Sequence, residues 1–136
     1  MSFTYDATTK IVTQTGTDTA LPTSAGNGFS LPVTVPKFYV IRLDDGVTLK
    51  IEGQLTIPYY QALAIKTSAT AGGIAISAGG RLTLQGSYNV NGESVPVAGA
   101  RLLIDDALSP GKGLIAFEGN STTPAELVID LSLIHI

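Results

Sequence analysis

Along much of this chain apolar and polar residues alternate in short runs, and several of the runs stop at a glycine. Val47, Leu49 and Ile51, then Leu55 and Ile57, then Leu82 and Leu84 stand at every second position. A period of two sends successive side chains to opposite faces of an extended strand, so each run has one face to bury and one to leave in water. Runs of the same kind are Ile74-Ala75-Ile76, Tyr88-Asn89-Val90, Leu102 to Ile104, Leu114 to Phe117 and Leu127-Val128-Ile129, and Phe38 to Leu43 is β-branched and aromatic. No stretch of useful length repeats apolar residues at helical spacing. Only Pro58 to Lys66 is predicted to hold a turn or two of helix. The fold class that follows is all-β, with short strands and glycine turns.

Compared with itself, the chain aligns Leu49-Lys50-Ile51-Glu52-Gly53 on Leu82-Thr83-Leu84-Gln85-Gly86 and on Ile115-Ala116-Phe117-Glu118-Gly119, at equal intervals along the sequence. In each copy two apolar side chains of one face precede Glu or Gln and then Gly, as suits a strand that must bend or admit another backbone closely. A unit that cannot bury its own face gains by stacking on copies of itself, which is the physics of a β-solenoid or parallel β-helix. The alternative is an antiparallel β-sandwich in which the repeat is coincidental and Asn91-Gly92 closes one of several hairpins. Stacks leave open ends, so a terminal coil needs a cap or a partner.

Composition removes whole classes of function. The 136 residues include no Cys and one His, which excludes disulfide scaffolds and cysteine-ligated metal sites and leaves no imidazole-rich cage. No cofactor motif is present. The net charge is −3 and the eight basic residues are scattered, so no nucleic-acid footprint appears. The start lacks a basic and apolar leader, and the most apolar stretch, Ala71 to Gly80, is too short to span a bilayer, which predicts a soluble chain without membrane insertion.

Three regions are expected. Residues 1–36 read as a Thr- and Pro-rich, strand-poor lead-in, in which Leu21 to Gly28 has the composition of an exposed loop. Pro32 and Pro36 flank Val33-Thr34-Val35, which places that piece at a sheet edge or in an extended connection. Residues 37–130 are the solenoid-like domain. The last six, Leu131 to Ile136, match the translation of a sequencing-library adapter, so 131–136 is expected to be non-native, the domain truncated after Asp130, and His135 no site residue.

Val40 to Ile57, with its Leu43-Asp44-Asp45-Gly46-Val47-Thr48-Leu49 step, resembles the opening coil of parallel β-helices in phage tail spikes, tail fibres and bacterial surface proteins. Phe3 to Thr13 is similar to a lead-in of phage structural proteins. The resemblance covers the front half of the chain and carries over no catalytic residue. It implies a stiff, trimeric, virion- or surface-exposed element, non-enzymatic and structural or adhesive, with a cell-surface glycan as its partner.

Candidate chemistry is sparse. Asp44-Asp45 and Asp105-Asp106 are the adjacent carboxylate pairs, of the kind β-helical polysaccharide enzymes use, but neighbours on a strand point to opposite faces. They read better as turn residues. An enzyme would also need Arg81 or Arg101 beside them. Tyr59-Tyr60 is the aromatic pair that suits stacking on a sugar, or wedging one ring into the core. Glu52, Gln85 and Glu118 recur at equivalent repeat positions and are expected to form a polar, solvent-facing ladder. Gly-Lys-Gly at 111–113 and Gly26-Asn27-Gly28 lack the context of a phosphate loop.

Overall fold

A computed structural model describes residues 2–35, 38–58, 60–65 and 72–85, together with strands at 101–104, 115–118 and 126–130. Asn91-Gly92, Gly86, Gly119, the 111–113 segment and the 131–136 tail lie outside them. Every regular element among the described residues is a strand. In chain order they are β1 (Phe3–Asp6), β2 (Ile11–Gln14), β3 (Thr17–Asp18), β4 (Phe29–Val35), β5 (Phe38–Leu43), β6 (Thr48–Ile51), β7 (Gln54–Ile57), β8 (Gln61–Ile65), β9 (Gly73–Ser77), β10 (Arg81–Gln85), β11 (Arg101–Ile104), β12 (Ile115–Glu118) and β13 (Glu126–Asp130).

These form three sheets, ordered β1-β2-β6-β9-β12, β3-β7-β10-β13 and β4-β5-β8-β11. From β5 onward the chain visits the third, first and second sheets in strict rotation. Among the described residues only β1 with β2 and β4 with β5 pair antiparallel; the other strand pairs are parallel. The register carries the sequence alternation straight into columns. Val12, Leu49, Ile74 and Ile115 are successive partners in the first sheet, and Leu55, Leu82 and Leu127 in the second. Leu49, Leu55 and Leu63, one from each sheet, belong to a single buried apolar cluster. Burying such side chains stabilises by about 1.5–3 kcal/mol each, which is the driving force for bringing the three sheets together.

Four expectations are corrected here. The three copies of the sequence repeat do not stack directly on one another: Leu49 and Ile115 share a column of the first sheet with Ile74 between them, whereas Leu82 sits on Leu55 in the second. Connections of unequal length remove any fixed period. Within Pro58 to Lys66, expected to hold a turn or two of helix, Gln61–Ile65 is strand β8, because it lies between β5 and β11 and all five of its residues are buried, so ladder bonds on both sides override local preference. The first 36 residues are not strand-poor, since Thr-rich β1, β2 and β3 and Pro-containing β4 cover one end of the three ladders. Leu21 is wholly buried and not an exposed loop residue. The placement of Val33-Thr34-Val35 holds, as β4 is the edge strand of its sheet, with a register shift between Ser30 and Val33.

Glycine permits the corners to approach one another. A Cβ on Gly53 would lie 2.1 Å from the Gly16 carbonyl oxygen, and one on Gly80 would lie 2.3 Å from that of Ile51. Gln54 N–H donates to Gly16 O, Arg81 N–H to Gly53 O and Glu126 N–H to Gly80 O, so one corner repeats from strand to strand along the second sheet. Close backbone approach after a strand, anticipated for Gly53, is therefore what that glycine allows.

Candidate functional site

Among the described residues, the covered end of the ladders holds the buried polar side chains Gln14 and Asp18. Gln14, at 0% exposure, turns its amide into the corner between β2 and β3. Its Nε2 donates to Asp18 Oδ2 at 2.9 Å and shares its remaining hydrogen among the carbonyls of Thr15 (3.1 Å), Gly16 (3.2 Å) and Gln54 (3.3 Å). Its Oε1 accepts from Gly53 N–H at 3.3 Å. Asp18, 8% exposed, also accepts from the Ser2 amide at 3.3 Å. Buried polar groups need such partners, and this set replaces an apolar residue where the column begins. On the third sheet, Gln61 Oε1 accepts the Leu21 N–H at 3.0 Å and draws the cap loop over the core.

That loop ends in a tight turn. Gly26 and Phe29 exchange both backbone hydrogen bonds, at 2.8 and 3.1 Å, around Asn27 and Gly28, whose φ values are 52° and 90°. Two positive φ angles are what a type I′ hairpin requires, and Asn-Gly supplies them. Between this loop and β1 is a hollow of about 190 Å³, walled by Phe3, Pro22, Ser24, Ala25, Gly26, Asn27 and Phe29. The rings of Phe3 and Phe29 meet edge to face, centroids 5.9 Å apart and planes at 90°. A second depression, wider and more open at about 430 Å³, lies on the outer face of the first sheet among Thr4, Asp6, Thr9, Ile11, Thr13 and Lys50. Its charges are engaged locally: Asp6 Oδ1 accepts from Thr8 N–H at 2.9 Å, and Lys50 pairs with Glu52 at 3.4 Å.

Asp44 and Asp45 are both exposed and stand in the turn joining β5 to β6, closed by Val47 N–H to Asp44 O at 3.0 Å with Gly46 at φ 78°. Tyr60 is half-buried with φ 64°, and its carbonyl accepts from Tyr39 N–H at 2.8 Å. Tyr59, Asp105 and Asp106 lie outside the described residues. Asp44-Asp45 and Tyr60 belong to separate turns, one before β6 and one before β8. The expected ladder of Glu52, Gln85 and Glu118 does not form, because Glu52 follows β6 at an exposed corner, Gln85 ends β10 opposite Asp130, and Glu118 pairs with Ser77. Arg81 pairs instead with Glu126, at 3.1 Å on the surface of the second sheet.

Among the described residues no group of three His, Cys, Asp or Glu could hold a metal ion, and no helix is long and apolar enough to cross a membrane. Sequence reasoning missed the cap hollow and the Gln14–Asp18 corner. The Asn27-Gly28 pair was the available signal for the first; nothing in the local pattern marks Gln14 as buried. Comparison with family models, with curated proteins and with solved structures gives no match.

Proposed function

We propose that this chain is a segment of a three-faced parallel β-solenoid whose role is structural or adhesive and non-enzymatic, as in phage fibres and surface proteins. The observation that carries the reading is the rotation of consecutive strands through three sheets with parallel, in-register columns of Leu, Ile and Val around one core. An antiparallel sandwich would reverse most of those pairs. The first coil is closed by strands that discourage further pairing: β1 and β4 run antiparallel to their neighbours, β3 has two residues, and β4 contains Pro32 and an irregular register. Such a stack offers long repeating faces and no obligatory cleft, which suits a stiff, surface-exposed, homo-oligomeric element that meets a glycan at its exterior.

The absence of Cys makes a direct test possible. Thr56 and Thr83 are ladder partners, whereas Lys50 and Thr83 are mates under the sequence repeat. A Thr56→Cys/Thr83→Cys variant is expected to form an intramolecular disulfide under mild oxidation, and Lys50→Cys/Thr83→Cys is not. The opposite result would reject the parallel stack. Sedimentation equilibrium decides the homo-oligomeric part, which a monomer at all concentrations would eliminate.

A further inference from the structure

We propose that the hollow beneath the cap loop is a subsite for a single neutral pyranose ring. It rests on the adhesive reading above for its purpose, and on the cap's geometry for its ligand.

The size comes first. An apolar cavity of about 150 Å³ accommodates a benzene-sized ring. The hollow, at about 190 Å³, therefore has room for one six-membered ring with substituents. Its walls are of two kinds. Half-buried Phe3 supplies the aromatic surface, and Phe29, itself 2% exposed, braces that ring edge to face from the core side. Ser24 and Asn27, both exposed, also line the hollow, and their side chains carry groups able to donate and accept. A pyranose has the matching duality, with a C–H face for aromatic contact and a rim of hydroxyls. A purely apolar ring would exclude water from Ser24 and Asn27 without replacing its hydrogen bonds.

Charge and rigidity narrow the choice further. Among the described residues no charged side chain lines the hollow, so a carboxylate or phosphate on the ligand would lose hydration without gaining a partner. The loop is held at both ends before any ligand arrives: Leu21 is buried and bonded to Gln61, and the Asn27-Gly28 turn is locked by its paired hydrogen bonds. Little ordering cost then falls on binding. A ligand of one ring makes few contacts, which sets the expected dissociation constant in the millimolar range.

The test is a titration of the full ¹⁵N-labelled chain with methyl glucopyranoside and methyl galactopyranoside, with glucuronate and benzyl alcohol as comparison probes. Saturable shifts at the amides of Phe3, Gly26 and Asn27 with at least one neutral glycoside are expected, with glucuronate and benzyl alcohol each at least threefold weaker. Ser24→Arg, which fills the hollow from an exposed loop position, is expected to abolish these shifts while leaving the rest of the spectrum in place. Ser24→Ala, which removes only the hydroxyl, is expected to weaken binding about threefold. The inference is overturned if neither glycoside produces the shifts, if benzyl alcohol binds as tightly, or if Ser24→Arg still binds. A Thr56–Thr83 cross-link that forms while the sugars fail to bind sinks this inference alone; failure of the cross-link sinks the stacking reading independently.

Discussion

At the scale of single residues, two corner positions carry more of the fold than their side chains suggest. Gly53 faces the Gly16 carbonyl so closely that a methyl group has no place, and no flexible side chain is there to give way. Gly53→Ala is expected to lower the unfolding free energy by about 2 kcal/mol or more, read as a shift of the urea midpoint. Gln14 is the polar counterpart. Gln14→Leu keeps the volume but strips Asp18 of its amide partner and leaves the Gly53 N–H unpaired, a loss of about 2 kcal/mol. Removing the carboxylate as well should recover part of it, so the Gln14→Leu penalty is expected to be smaller in an Asp18→Ala background. The Arg81–Glu126 pair, by contrast, is exposed at both ends, and Arg81→Ala should cost no more than about 1 kcal/mol by the same measurement.

At the scale of elements, β8 differs from its counterparts in the other sheets. On β7 and β10 alternate residues are half-buried, whereas on β8 the outward Ala62 and Ala64 are 0% and 3% exposed. The outer face of the third sheet is thus closed to water at that strand, and the faces of the other two are not. Ala62→Glu is therefore expected to unfold the protein at markedly lower urea than Thr56→Glu, because a carboxylate at position 62 is buried without a built partner. The same contrast explains why Gln61–Ile65, within a stretch expected to be helical, is a strand. Alanine and leucine favour helix in isolation, but a strand with ladder neighbours on both sides and both faces covered is decided by its surroundings.

At the scale of the whole molecule, one end of the ladders differs from their interior. That end is closed by reversed, shortened or proline-bearing strands and by the buried Gln14–Asp18 corner. The interior strands β6, β7 and β8 have a parallel neighbour on each side. Amide hydrogen exchange should therefore be slowest in β6, β7 and β8 and faster in β1, whose single neighbour among the described residues is β2. Uniform protection across β1 and β6 would mean that the strands do not open from the capped end inward.

Period-two alternation by itself determined that the chain is built from strands, and which side of β6, β7 and β10 faces the core, because a strand has only two faces and burial selects one. Pro32 likewise placed β4 at an edge, since proline lacks the N–H that an interior strand must donate. The Asp45-Gly46 turn was legible for the same local reason, a backbone geometry that few residues accept. Which strand lies on which was decided only in three dimensions. Leu49 and Leu82 look alike in sequence yet occupy different sheets, because connection lengths vary and pairing is settled by how the strands cover one another's apolar faces. The cap hollow needed the same information: Phe3 and Phe29 are far apart in the chain, and only the pairing of β1 on β2 and the closure of the Asn27-Gly28 turn bring their rings together.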